Sequence, residues 1–387
     1  MNPSISSFKN SMDNIISSLD YTINKLEIYE EISSRKVKKG KKESKLAKKT
    51  DVFITSFVGS CARDYGKFIY NGSLVSIYGS LERLVEDLIE ACIHNISLST
   101  GDYEKLNNSI KKNHIEFSLN YASRITKDRN LEQSQKLKKQ KEVIDNLQSC
   151  FNNLANFTLN KHAFSVHTAN FRYDIIRESF SNIGISNILI EMITNDESIR
   201  KVIINDLGLS PSEKIENTQL DNHLREKLDE LAIRRNQIAH GARPESYLNY
   251  ELLLNFAQFI YVFGVSLHNY CSAYIDKYKL EHYDFSSNDF IHLGMPTKTF
   301  SNHKSIGIEV KNDQGITGKT IKSGDDIFLV NRNSPTVIKK DCIKSMFINN
   351  TKVKEHKITG AFEIGIEIDT QILDSLKRRN VYVKSST

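Results

Sequence analysis

The sequence has no Cys-x-x-Cys pair, no Gly-x-x-x-x-Gly-Lys-Ser/Thr loop and no internal repeat. Each absence removes a class of function. Its five cysteines, Cys61, Cys92, Cys150, Cys271 and Cys342, are odd in number and scattered, and most lie in apolar stretches. They read as reduced core residues rather than as a disulfide framework. No Cys/His grouping has zinc spacing, and without a phosphate-cradling loop a P-loop nucleotide site is excluded. No cofactor and no metal are therefore expected. No apolar run approaches the roughly 18 residues of a membrane span, and residues 1–10 are polar, without the apolar core of a signal peptide. The expectation is a cytoplasmic protein with no membrane partner.

What is present is a long, charged chain. Its 387 residues suffice for two or three domains. A net charge of +6 and a pI of about 8.8 are compatible with an anionic partner. Richness in Lys, Asn and Ile fits a bacterial or phage source.

The patterning changes near residue 295. Before it, apolar residues recur at three and four positions; after it, they alternate. Residues 15–32 read as an amphipathic helix through Ile16, Leu19, Ile23 and Leu26, followed by a basic stretch from Arg35 to Lys49. A long helical region spans about 52–96, with Asn71-Gly72 as a candidate break and a broad apolar stripe from Leu74 to Ile89. The polar region 101–157 carries a second basic run, Lys136 to Lys141. Residues 170–185 read as a helix closed by Gly184, residues 222–240 as another, and 250–278 as a long apolar central helix. The segments SIGIEV, DDIFLV, TVIKK, IKSMFI, KVKEH and FEIGIEI read as short strands, and their turn punctuation suggests a small closed barrel. The fold class is α+β and multidomain. An N-terminal helix and basic linker occupy 1–50, an all-α helical bundle 51–292, and a small β-barrel 296–387.

The chemistry concentrates in Arg235-Asn236-Gln237-Ile238-Ala239-His240, followed at once by Gly241. A guanidinium can hold a phosphate bidentately, and an imidazole can move a proton near neutral pH. Leu224, Leu228, Leu231, Arg235 and Ile238 form one stripe, so Arg235 stands where an apolar residue is expected. His240 lies about 140° around an ideal helix from Arg235. Asn236 and His240, four apart, share a face. The two catalytic groups converge if the helix breaks before Gly241, or if a second copy supplies one of them. In a symmetric dimer, two such helices would bring paired arginines and histidines into one cleft. There, one imidazole would deprotonate a ribose 2′-hydroxyl, and the product would be a 2′,3′-cyclic phosphate. DNA lacks that hydroxyl, so the route selects RNA. Another reading stays open. An arginine on an apolar stripe is also the pattern of a structural ion pair, here with Glu82 or Glu86. A histidine before a glycine is also the pattern of a helix C-cap.

The basic runs could steer RNA toward such a cleft, and Arg234 beside the motif could contact the substrate backbone. No aromatic residue interleaves the lysines, so base stacking along them is not suggested. His162, His167, His268 and His282 have no spacing that singles them out.

RRNQIAHG resembles the signature of the HEPN superfamily, an arginine followed by a polar residue and then a histidine four to six positions on. The long helix carrying IYGSLERLVEDLI, the NFRYDIIRESFSNIGI segment and the apolar helix after the motif are similar in arrangement. Together they resemble the subgroup of RiboL-PSP/MAE-type members over roughly residues 50–280. The resemblance implies a dimerising HEPN-type helical bundle and metal-independent ribonuclease activity in bacterial anti-phage defence or as a toxin. It assigns Arg235 and His240 as the catalytic pair and Asn236 as the polar positioning residue. In members silenced by a partner nucleotidyltransferase, a tyrosine often stands two residues after the histidine; here that position is Ala242, and the next tyrosine is Tyr247. The C-terminal segment resembles domain II of translation elongation factors. The shared features are the turn Ser323-Gly324-Asp325, the strand Ile343-x-Ser345-Met346 ending at Asn349, and a late glycine before Gly365-Ile366-x-Ile368. That resemblance implies contact with tRNA or ribosome-associated RNA, or with a protein trigger or inhibitor. The alternative to an enzyme is a non-catalytic scaffold binding RNA or protein.

Overall fold

The computed structural model describes residues 2–36, 62–152, 157–166, 170–210, 215–241, 247–281, 290–299, 304–311, 316–331, 337–368 and 379–384. Most of the basic stretch Arg35–Lys49, and the loop position Ala242, lie outside them. The chain divides into two compact units, residues 1–94 with 102–270, and residues 95–101 with 271–387.

The first unit is helical. Its N-terminal helix α1 (Asn2–Lys36) begins well before residue 15, because Ile5, Phe8 and Met12 extend the apolar stripe toward the N-terminus and are buried with Leu19. Helix α2 (Ala62–Thr100) runs without a break through Asn71-Gly72. An interior glycine costs a helix about 1 kcal/mol. Burial of Tyr70, Leu74, Ile77, Tyr78, Leu81 and Leu84 on either side of it outweighs that cost. Next come α3 (Asn108–Lys127) and α4 (Gln133–Phe151), which pair as a hairpin, and the short α5 (Lys161–Ser165).

Helix α6 (Tyr173–Asn182) ends in a Schellman motif. The Ile185 amide donates to the Phe180 carbonyl at 2.9 Å, the Gly184 amide donates to the Ser181 carbonyl at 2.9 Å, and Gly184 has φ +83°. Two short helices, α7 (Ile188–Asn195) and α8 (Glu197–Asp206), lead to α9 (Asn217–Ala239), whose Leu220, Leu224, Leu228 and Leu231 are buried.

The last helix, α10 (Tyr250–Glu281), revises one expectation. Its stretch Tyr250–Lys279 is long and apolar enough to cross a membrane by length and composition, whereas no such run was expected. Reading uninterrupted apolar runs misses it, since polar residues such as Gln258, Ser266 and Asn269 punctuate the sequence. Leu253, Phe256, Phe259, Ile260 and Phe263 of this helix are core residues of the helical unit. At Gly264, an added Cβ would lie 2.4 Å from the ring of Phe8, so α10 and α1 meet in backbone-to-ring contact there.

The second unit is β-rich. Its strands are β1 (Phe290–Gly294), β2 (Pro296–Thr299), β3 (Ser305–Val310), β4 (Thr320–Lys322), β5 (Asp326–Asn331) and β6 (Val337–Cys342), then β7 (Ser345–Ile348), β8 (Thr351–Val353), β9 (Glu355–Lys357), β10 (Phe362–Glu367) and β11 (Arg379–Lys384). The expected closed barrel is not what forms among the described strands. The ladders make a four-stranded sheet, β1-β11-β5-β6, a five-stranded sheet, β2-β3-β10-β7-β8, and a two-stranded ribbon, β4-β9. The two larger sheets give their inward residues to one core, including Ile291, Leu329 and Val381 from the first and Ile308, Met346 and Ile364 from the second. Burial is thus achieved between facing sheets, and among the described strands no ladder closes on itself. The Ser323-Gly324-Asp325 turn is a turn here: Gly324 has φ +98°, and the buried Asp325 carboxylate accepts the Lys322 amide at 2.7 Å.

Among the described cysteines, Cys92, Cys150 and Cys271 are buried thiols and Cys342 is exposed.

Candidate active site

The leucine stripe of α9 sets the direction of Arg235. One turn beyond Leu231 the stripe position is filled by the guanidinium, which is half-buried over the ring of Tyr78 with its central carbon 5.0 Å from the ring centroid. Its Nη1 donates to Asn236 Oδ1 at 3.2 Å and to Asn170 Oδ1 at 3.4 Å, and Asn170 Nδ2 donates to Asn236 Oδ1 at 2.8 Å. These partners are neutral amides. Among the described residues Arg235 forms no ion pair, and its Nε and Nη2 donate no hydrogen bond.

Glu82, a candidate counter-charge, is used otherwise. Its Oε1 accepts from the Tyr78 hydroxyl at 3.1 Å, and that hydroxyl in turn accepts the Phe171 amide at 2.8 Å. Burial, and then the Glu82 carboxylate, push the Tyr78 phenol well above its ordinary pKa. Tyr78 is therefore neutral and supplies a ring face and a hydroxyl, not an anion.

His240 is the C-cap of α9. Its amide donates to the Asn236 carbonyl at 3.0 Å, which keeps helical register, and Gly241 follows in the left-handed region at φ +66°. The helix therefore carries through to His240 and does not break before it. The imidazole is exposed, and five residues on an ideal helix set the two positions about 140° apart. Asn236, on the His240 face by spacing, is tied to Arg235 both directly and through Asn170. Arg234 points elsewhere. Its guanidinium donates to Glu230 Oε1 at 2.7 and 2.8 Å and to the Tyr70 hydroxyl at 2.9 Å. Burial works against its charge, but Glu230 and Tyr70 outweigh that and raise its pKa.

Sequence reasoning missed Tyr78, Asn170 and Phe171. Tyr78 carried a signal, since an aromatic residue one turn before Glu82 interrupts an aliphatic stripe. Asn170 carried none, because nothing in the sequence shows that residues 170 and 235 meet. His162 makes a 2.7 Å contact through Nδ1 with Glu90, whose carboxylate also accepts from Ser165. His167 and His282 lie outside the described residues. Among the described residues no group of three or more His, Cys, Asp or Glu is placed to hold a metal ion.

A family model described as RiboL-PSP-HEPN matches residues 55–273, more than half of the chain, from just before α2 into α10. The chain belongs to the RiboL-PSP-HEPN family. No curated protein matches it. HEPN domains are generally ribonucleases, so membership supports an RNase-like enzyme that interacts with RNA. The matched span holds every residue built into the site, Tyr78, Glu82, Asn170, Arg235, Asn236 and His240, and ends before the first strand, β1.

Proposed function

We propose that this HEPN protein is a metal-independent endoribonuclease, probed best at Arg235. The observation that carries the reading is the half-buried guanidinium with neutral amides as its hydrogen-bond partners and two nitrogens that donate to no described residue. A partly desolvated cation without a counter-charge calls for an anion. A phosphodiester supplies one and matches the guanidinium fork.

The divergence of Arg235 and His240 on one continuous helix favours a site completed by a second copy of the chain. Two α9 helices meeting about a two-fold axis would set both arginines on the scissile phosphate. His240 of one copy would take the proton from the 2′-hydroxyl as O2′ attacks phosphorus. His240 of the other, protonated, would give its proton to the departing 5′-oxygen. The products are a 2′,3′-cyclic phosphate and a free 5′-hydroxyl. Asn236 and Asn170 would hold the arginine fork in place. In this reading Arg234 supports α9 through Glu230 and Tyr70 rather than meeting RNA. The protein would act in the cytoplasm of a bacterial cell as an anti-phage effector or toxin. The β-rich unit would recognise tRNA, ribosome-associated RNA or a protein trigger or inhibitor.

The test is cleavage of a defined RNA in excess EDTA with identification of the ends. A 2′,3′-cyclic phosphate made by the wild-type chain and lost in Arg235→Ala and His240→Ala, with fold and dimer intact, supports the mechanism. Undiminished cleavage in both variants would refute the assignment, and a wild-type chain that binds RNA without cutting it would favour the scaffold reading.

A further inference from the structure

The tip of the α3–α4 hairpin is the most basic stretch among the described residues. Between residues 124 and 141 stand seven bases, Arg124, Lys127, Arg129, Lys136, Lys138, Lys139 and Lys141, and two acids, Asp128 and Glu132. Both acids are committed to the backbone. Asp128 Oδ1 accepts the Asn130 amide at 2.9 Å, which shapes the turn. Glu132 is the N-cap of α4: its side chain accepts the Gln135 amide, while its own amide donates to Gln135 Oε1 at 3.1 Å.

The tip is also fixed across the hairpin. Lys136 Nζ donates to the Thr126 carbonyl at 3.1 Å, and the Gln140 amide donates to Thr126 Oγ1 at 2.7 Å and to the Ala122 carbonyl at 3.2 Å. What is left over is charge. Lys127, Arg129, Lys138, Lys139 and Lys141 are exposed and form no ion pair with a described residue. An ordinary solvated helix face mixes its signs and pairs them at i, i+4. Here cations outnumber carboxylates: exposed Glu142, one turn beyond Lys138, is the next acid along the helix, and it forms no ion pair with a described residue.

A cavity adjoins it. Asn120, Arg124 and Lys127 lie at i, i+4 and i+7 on one face of α3. Asn120 and Arg124, with Phe117, Tyr121, Phe164 and Asn182, line an opening of about 260 Å³. Phe117 and Phe164 meet edge to face there, with ring centroids 5.6 Å apart. The lining also holds one acid, Glu178, which can accept from a base amino group; aromatic faces and amides beside a guanidinium are the groups that stack on a nucleobase and read its edge.

We propose that the α3–α4 tip is a binding site for single-stranded RNA, separate from the Arg235 motif: the unpaired cations hold successive phosphates, and the pocket behind Arg124 takes one unstacked base. It rests on the proposed ribonuclease function for the identity of the polyanion, and it gives the enzyme a means of holding RNA away from the scissile bond.

The test is fluorescence anisotropy of a labelled oligouridylate on the full chain carrying His240→Ala, so that the RNA stays intact. Neutralising Lys138, Lys139 and Lys141 together to Gln is expected to weaken binding tenfold or more at low salt. It also flattens the plot of log affinity against log salt by about 2, near 0.7 for each single-strand phosphate that is no longer neutralised. Tyr121→Ala is expected to weaken binding about tenfold with the salt slope unchanged, because stacking releases no counterions. Unaltered affinity and slope in the triple variant, with its melting curve unchanged, overturn the proposal. So does binding to phosphatidylserine-containing vesicles without affinity for RNA. RNA held at the tip but left uncut by the wild-type chain refutes the nuclease reading alone. Cutting with unaltered binding in the lysine variant refutes the tip alone.

Discussion

The guanidinium of Arg235 rests over the ring of Tyr78, 5.0 Å from its centroid, and the Tyr78 hydroxyl ties Phe171 on one side and Glu82 on the other. One buried phenol thus sets both the height of the arginine and the start of the segment that carries Asn170. Tyr78→Phe keeps the ring and loses both hydrogen bonds. It is expected to cost about 1–3 kcal/mol of stability, because the buried hydroxyl's bonds to the Phe171 amide and to Glu82 are both lost. RNA cleavage should fall less than in Arg235→Ala. Chemical denaturation and single-turnover cleavage on one preparation check both statements.

Arg235→Lys keeps the charge and loses the fork. With phosphate held bidentately, this variant should cut RNA about 10²-fold more slowly or worse, on the scale of losing one preorganised donor to a developing anion. Its melting temperature should stay close to wild type, since no ion pair is broken. A chain that unfolds instead would show that Arg235 is structural.

His114 gives the fold a pH dependence. It is fully buried, its Nε2 accepts the Asn160 amide at 3.0 Å, and burial lowers its pKa from 6.5 to about 4. The unfolded chain therefore binds this proton more readily than the folded one. Stability rises with pH between about 4 and 6.5 and is independent of this group above that window. The loss on acidification is at most about 3 kcal/mol, at 1.36 kcal/mol per pKa unit. Denaturant melts across pH 4.5–7.5 should show the slope in wild type and a smaller one in His114→Gln.

Gly264→Ala puts a methyl group where the Phe8 ring already stands, 2.4 Å from the ideal Cβ. Overpacking of that kind costs about 1–3 kcal/mol. Phe8→Leu should relieve part of it, so the double variant is expected to be more stable than the sum of the singles implies. Thermal melts of the four chains complete the cycle.

Helices and strands were legible in the sequence wherever an apolar period ran long enough to declare itself. The stripes of α2 and α9, the Gly184 stop and the cores of β3, β5, β7 and β10 are examples. The first half of α1 was not, because its serines dilute the apolar period at Ile5, Phe8 and Met12. The sheet arrangement was illegible for a different reason. Strands β1 and β11 lie at the two ends of the β-rich segment and pair with each other, Ile291 opposite Val383, and a ladder between remote segments leaves no trace in local alternation. The site divides the same way. Arg235, Asn236 and His240 stand together in the chain, and helix geometry alone showed that Arg235 and His240 diverge. Tyr78 and Asn170, which fix the arginine, come from 157 and 65 positions away and became visible only once the chain was folded.

The capping position of His240 carries a mechanical consequence. Arg235 is anchored at the inner end of the motif by a ring and two amides, whereas the imidazole rides on the last hydrogen bond of α9, where helices open at the lowest free energy. The group that would grip the phosphate is therefore the stiff one, and the group that would move the proton is the adjustable one. On warming, amide exchange should quicken at Ala239 and His240 well before it does at Leu228 and Leu231. The protein would then lose its proton shuttle several degrees below the temperature at which it loses its fold.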